Sequence, residues 1–388
     1  MRASDRALSG GGCVVSMRPV PVSVVIPTFN RRELVRQAVA SVCAQRAAEC
    51  EIIVVDDGSA DGTAEALRAE FGAQIRLIRT ENRGVAAARN LGVASSRGEL
   101  IAFLDSDDLW LPDKVAAQLA FFAEHPGAEI CQTEEIWIRN GVRVNPCAHH
   151  RKPSGDIFEP SLRLCLVSPS AVMLRRSLFE GVGGFDESLP VCEDYDLWLR
   201  IARNTPVWLV DRALVVKRGG HADQLSRQLW GMDRFRVAAL VRLLAQGDLS
   251  PVQHRATLAV LAEKCQILAQ GAARRGRHAE AEAYRALPAS NSLRKLDDVS
   301  FGSPLPRDCR FSRNVGAQHA APLRKHAENT VDETSGRSFI DSPPRGSVDF
   351  LANSASTSSA RAVGYSISKE NSAHPENLTG EDTGLERP

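Results

Sequence analysis

Aromatic side chains are scarce in this 388-residue chain: 13 Phe, 5 Trp and 3 Tyr make up 5% of it. An excess of charge of either sign is also missing, since Lys+Arg 48 against Asp+Glu 47 leave a formal net charge of +1. No global field therefore draws the chain to a polyanion, and no nucleic-acid partner is expected. The nine cysteines contain no C-x-x-C pair and no short Cys/His cluster, which speaks against a disulfide framework or a zinc knuckle. Reduced thiols in a cytoplasmic protein are the expectation. No run approaches the ~18–20 apolar residues that cross a bilayer, and residues 1–20 lack the apolar core of a signal peptide. They read as a disordered leader around Gly10-Gly11-Gly12, with Met17 a candidate start. A G-x-G-x-x-G after the first strand is absent too, which disfavours a dinucleotide oxidoreductase.

What is present is an alternation of strand and helix. Val22 to Ile26 is a short β-branched run ended by Pro27, the pattern of a buried parallel strand. Leu34, Val35, Ala38, Val39 and Val42 then recur at helical spacing. Further strands are expected over 51–55, 75–79 and 100–104, with helices over 62–71 and from Asn82-Arg83-Gly84 to Val93. This predicts an α/β domain with a largely parallel sheet flanked by helices. Beyond Pro112 the pattern loosens to a helix over 113–124, strands over 130–138 and 170–174, a loop over 140–155, an amphipathic helix from Glu193 to Asn204, and short strands over 207–210 and 214–217. The expected divisions are a leader at 1–20, an α/β domain at 21–228, a helical appendage at 229–287 and a disordered, serine-rich tail at 288–388.

Three polar clusters follow strand ends, where open α/β sheets bind ligands. Asp105-Ser106-Asp107-Asp108 suits a hard cation such as Mn²⁺ or Mg²⁺, or equally a capping turn. Asp56-Asp57-Gly58-Ser59 reads as a turn or as an acceptor for a base or ribose. Pro27-Thr28-Phe29-Asn30-Arg31 places Phe29 either at the mouth of the cleft or in the core. Glu193-Asp194 opens a helix, either as favourable charges on its dipole or as a general base at the cleft rim. His221, after Arg218-Gly219-Gly220, is a surface residue or a ligand.

Taken together, PTFNR at Pro27 to Arg31, DDGS at Asp56 to Ser59, AARNLG at Ala87 to Gly92, RGELIAFLDSDD at Arg97 to Asp108 and EDYDLWLR at Glu193 to Arg200 resemble the family 2 glycosyltransferases. Order and spacing match as well as the words, over roughly 21–224. The resemblance implies a GT-A fold, a nucleoside-diphosphate sugar donor with UDP-sugars favoured, Mn²⁺ or Mg²⁺ as cofactor, and inversion at the anomeric carbon. It also implies roles. Pro27, Thr28, Phe29, Arg31, Asp56, Asp57, Arg89, Asp105 and Ser106 would surround the nucleotide sugar. Asp105, Asp107, Asp108 and the late His221 would hold the metal, and Arg218 or Arg227 the diphosphate. Asp194 would be the catalytic base, with Glu193 the second choice. Acceptors in keeping with the resemblance are a glycan, a lipid-linked oligosaccharide or a protein, in cell-surface polysaccharide synthesis, with a peripheral membrane contact through 229–244. Three alternatives are weighed against this: a nucleotide-sugar-binding protein without catalysis, a signalling receiver domain suggested by Asp56-Asp57, which the motifs through Arg200 exceed, and a phosphatase using Asp-x-Asp after a strand. In the phosphatase the Asp nucleophile follows the first strand, whereas Asp105 follows the fourth.

Overall fold

The structure, a computed structural model, describes residues 22–46, 49–144, 151–220 and 231–290. The expected leader, residues 291–388 of the expected tail, His221 and Arg227 lie outside the described residues, whereas residues 288–290, expected in the tail, end the last helix. The first half alternates as the hydrophobic spacing predicts: β1 (Val22–Thr28), α1 (Arg32–Cys43), β2 (Cys50–Asp56), α2 (Thr63–Phe71), β3 (Arg76–Arg79), α3 (Val85–Ala94) and β4 (Leu100–Phe103). After β5 (Leu109–Trp110) and α4 (Lys114–Glu124) come β6 (Ile130–Arg139), β7 (Val142–Val144), α5 (Phe158–Arg163), β8 (Val172–Arg175), α6 (Arg176–Gly181), α7 (Glu193–Ala202) and β9 (Trp208–Gly219). Three helices close the described chain: α8 (Asp233–Gln246), α9 (Pro251–Arg274) and α10 (His278–Ser290).

All nine strands join one mixed sheet in the order β3-β2-β1-β4-β8-β6-β9-β5, with β7 on β6. The β3-β2-β1-β4 half is parallel throughout. β8 then runs antiparallel to β4 and β6 antiparallel to β8, while β9 returns parallel to β6. The two short strands expected at 207–217 are a single β9, whose pairing with β6 shifts register twice, after Thr133 and after Glu134. Such bulges bend a strand and re-aim its side chains, and they lie just before Lys217, which serves the site.

Alternation along the central strands splits the core between the two faces of the sheet. Val22, Val24, Ile26, Leu100 and Ala102 pack with α1, α2 and α4. Val25, Ile101 and Phe103 face α5, α7 and the three last helices. The stretch expected to touch a membrane is not free to do so, because Phe235, Val237, Leu240, Val241 and Leu244 of α8 are buried in this second core. Its apolar side chains complete the α/β unit instead. Among the described residues no helix is long and apolar enough to cross a membrane.

Candidate active site

The parallel half puts the ends of β2, β1 and β4 side by side, so the three polar loops converge. Asn30 stands in a left-handed conformation, φ 51°, a cost that Asn tolerates better than most residues. There its backbone N–H donates to Ser59 Oγ at 2.8 Å, and its own Oδ1 accepts from Ala60 N–H at 2.8 Å. Asp56 is buried, and its Oδ1 accepts the Ser59 N–H at 2.8 Å. Asp57 Oδ1 and Oδ2 accept the N–H groups of Arg83 and Gly84 at 2.9 and 2.8 Å. Burial nonetheless pushes the Asp57 carboxyl above its ordinary value, outweighing these two bonds. Phe29 is 44% exposed beside this loop.

The acid loop after β4 divides by exposure. Asp108 is buried, its Oδ2 accepting from Ser170 Oγ at 2.6 Å and Lys217 Nζ at 3.4 Å, and its Oδ1 from the Arg218 N–H at 3.0 Å. Burial raises its carboxyl to about 7 despite Lys217. Asp107 pairs with Arg31 at 3.0 Å, and its carbonyl accepts from Arg218 Nε. Asp105 keeps 24% of its side chain exposed and accepts from Arg89 at 2.7 Å. Oxygens of all three carboxylates lie within 4.8 Å of one another. As a donor set for a hard cation, the partly exposed Asp105 and Asp107 fit. Asp108 faces inward, with both oxygens held by the protein. Ser106 is buried in the same turn.

Two of the sequence words resolve into one buried bridge. In AARNLG, Arg89 donates to Asp105 and to Glu193 Oε1 at 2.6 Å, with its guanidinium 5.1 Å from the Phe185 ring centroid. Asn90 clamps the Phe185 backbone through both amide atoms at 2.9 and 3.0 Å. A Cβ on Gly92 would sit 2.3 Å from Val25 Cγ1, so α3 approaches β1 this closely only with glycine. Burial works against the charge of Arg89, but the two carboxylates outweigh it and raise its pKa. The Glu193 carboxyl is pushed by burial to about 7, with Arg89 pulling the other way. In EDYDLWLR, Tyr195 donates to the Leu162 carbonyl at 2.6 Å, and Asp196 pairs with Arg200 at 2.8 Å. Glu193, Tyr195 and Asp196 thus anchor α7, and Asp194 is left half-buried.

Asp194 and Asp105 both line a cavity of about 220 Å³, together with Trp137, Glu135, Lys152 and Lys217. A second concavity, about 370 Å³ along Asn30 to Leu34 and Asp61, holds neither carboxylate. Of the residues expected from sequence, Asp105 and Asp194 share the first cavity, and Glu193 and Arg89 stand behind it. Pro27, Thr28, Phe29, Arg31, Asp56 and Asp57 gather at the ends of β1 and β2 and do not line it. Arg218 is engaged with Asp107, Asp108 and, at 2.5 Å, Gln37. The sequence reading missed Glu135, Trp137, Lys152 and Lys217. Glu135 and Trp137 lie on β6, Lys217 on β9 and Lys152 beyond β7, none of them in a polar cluster after a strand end, and they became a group only once the fold placed them beside the acid loop.

The fold and the acidic cleft define a GT-A-type transferase. A solved structure of Staphylococcus aureus TarS 1–349 with UDP-GlcNAc overlays it at a TM-score of 0.50 with 18% identity, covering 72% of this chain and 89% of that one. The "Glycosyl transferase family 2" model matches residues 23–183. An uncharacterized glycosyltransferase of Rickettsia typhi is 32% identical over 219 residues, 55% of this chain and 69% of the relative. The chain therefore belongs to glycosyltransferase family 2. The Escherichia coli UDP-Glc:alpha-D-GlcNAc-diphosphoundecaprenol beta-1,3-glucosyltransferase WfgD is 27% identical over 198 residues, 51% of this chain and 76% of that one. The match spans only about a third of the length of two other curated relatives, from Rickettsia bellii and Rickettsia felis, at 31% and 35%.

Proposed function

We propose that the chain moves a sugar from a nucleoside-diphosphate donor, a UDP-sugar first among them, to a hydroxyl of a glycan or lipid-linked acceptor, with inversion. The single observation that carries this reading is the cavity that Asp105 and Asp194 line together. Asp194 takes the acceptor proton at its carboxylate, and Arg89 with Glu193 keeps Asp105 and the start of α7 in fixed relation. Asp105 and Asp107 hold Mn²⁺ or Mg²⁺, which supplies charge stabilisation for the departing diphosphate. Phe29 and the β1 and β2 loops border the base, and Asp57 shapes that border by holding the Arg83-Gly84 backbone. The family membership and the lipid-linked acceptor in the name of the E. coli relative support a place in cell-surface polysaccharide synthesis, with the enzyme at the cytoplasmic membrane face. Asp194→Asn tests the assignment: transfer is lost by about 10²–10⁴-fold, the range for a general base, while calorimetric UDP affinity stays within about twofold, under 0.5 kcal/mol. Near-normal turnover in that variant refutes it.

A further inference from the structure

β6 and the segment at Lys152 bring to the cavity wall a group of side chains that the transfer chemistry does not use. Glu135 and Lys152 form an ion pair at 3.1 Å with 3% and 6% of their side chains exposed. Glu135 Oε1 and Lys152 Nζ are the two atoms of that pair, and neither finds a further partner in hydrogen-bond geometry among the described residues. A buried pair with hydrogen-bonding capacity to spare is uncommon and calls for an explanation. Here both line the cavity that holds Asp194. Trp137 lines it too, its indole N–H donating to Glu135 Oε2 at 3.0 Å.

We propose that Trp137, Glu135 and Lys152 form the acceptor subsite and select an uncharged, hydroxyl-bearing sugar ring. This rests on the transfer reading above. A carboxylate that accepts and an ammonium that donates, 3.1 Å apart, match two neighbouring sugar hydroxyls, one giving and one receiving a hydrogen bond. The indole offers the apolar face of an amphipathic ring. A cavity of about 220 Å³ is below the ~300–1,000 Å³ of drug-sized pockets and suits one ring rather than several. The subsite lies on the acceptor side because β6 is separated from the β1–β2 nucleotide edge by β4 and β8.

Charge decides against an anionic sugar. Lys152 is matched by Glu135, and Lys217 by Asp108 at 3.4 Å. Of the other carboxylates facing the space, Asp105 is answered by Arg89 behind it and lies near Lys217 and Arg31, and Asp194 adds a further negative charge, so the lining holds three carboxylates against two ammoniums that are both already paired. With a metal on Asp105 answered by the donor diphosphate it holds, a uronate or phosphate placed there meets a wall with no surplus cation.

The test uses the full chain with UDP and Mn²⁺ present, and saturation-transfer NMR with methyl glucoside, methyl N-acetylglucosaminide and methyl glucuronide as probes. A neutral glycoside is expected to bind, with the glucuronide at least about tenfold weaker, a difference of ~1.4 kcal/mol. Trp137→Ala and Lys152→Met should each weaken the neutral glycoside at least about tenfold while the UDP titration, read in the same samples, is unchanged. If Lys152→Met lowers UDP affinity through misfolding, Glu135→Gln replaces it, and the neutral-against-uronate comparison on the wild-type chain stands without any variant. Equal binding of the glucuronide, no neutral glycoside bound by the wild type, or variants with wild-type glycoside affinity would overturn the subsite. Absence of UDP binding by the wild type would instead overturn the transfer reading, so the two failures are distinct.

Discussion

Replacing Arg89 by Met removes the one cation that touches both Asp105 and Glu193. Arg89 is 3% exposed, and its guanidinium makes contacts of 2.7 and 2.6 Å to the two carboxylates. Met fills most of the same volume and keeps contact with Phe185, so the cavity cost is small and the lost charge dominates. Breaking a buried pair by removing one partner costs about 3–5 kcal/mol, because the other charge stays buried. Here there are two such charges, only one of which, Asp105, has other cations near it in Lys217 and Arg31. A loss in the upper part of that range is expected, which for a domain of this size is roughly 8–20 °C in Tm. The loss should depend on pH. Without Arg89 both carboxyls bind protons more tightly than in the unfolded chain, so the native variant is favoured as pH falls, by up to about 1.4 kcal/mol per pH unit per proton. The Tm deficit at pH 8 should therefore narrow at pH 5.5, as read by differential scanning calorimetry. A variant within about 1 °C of wild type at pH 8, under 0.5 kcal/mol, or an equal deficit at both pH values, refutes the bridge as described.

Gly98→Ala is expected to destabilise by at least about 2 kcal/mol, since its Cβ would stand 2.5 Å from the Ser23 backbone nitrogen and 2.8 Å from the Val22 carbonyl carbon; a urea midpoint equal to wild type would contradict that packing. Burial holds the Asp108 carboxyl up at about 7. The raised folded value means its contribution to stability is fully present below the unfolded value of about 4 and is lost as pH rises through about 7. The stability gap between wild type and Asp108→Asn, followed by urea titration, should shrink from pH 5 to pH 8, and a constant gap rules this out. Asp107→Ala should weaken Mn²⁺-dependent UDP binding by about tenfold, ~1.4 kcal/mol, while chelation by EDTA abolishes the difference between variant and wild type. Calorimetric titrations indistinguishable with Mn²⁺ present would remove Asp107 from the metal site.

Sequence alone determined the parallel half and its loops. Val22 to Ile26, Glu51 to Val55 and Leu100 to Leu104 are short apolar runs, and helical spacing between them leaves little choice of fold. The acids at 105–108 and 193–194 were legible because charge directly after a buried strand, or at the start of an amphipathic helix, has few places to go. Tertiary structure alone decided which acids face the cavity. Asp108 and Asp105 are three residues apart in one word, yet Ser170 and Lys217, 62 and 109 positions from Asp108, turn the former inward. Glu193 and Asp194 are neighbours, but Arg89 takes the first and leaves the second half-buried. The 229–244 stretch carried the same apolar pattern whether its partner was lipid or protein, and only packing chose the core. Glu135 and Trp137 on β6 and Lys152 beyond β7 gave no local signal because their meaning comes from contacts made only when the sheet and its loops assemble. Apolar periodicity records which side of an element is buried, whereas the partner of a polar side chain is set by contacts across the chain that no local pattern encodes.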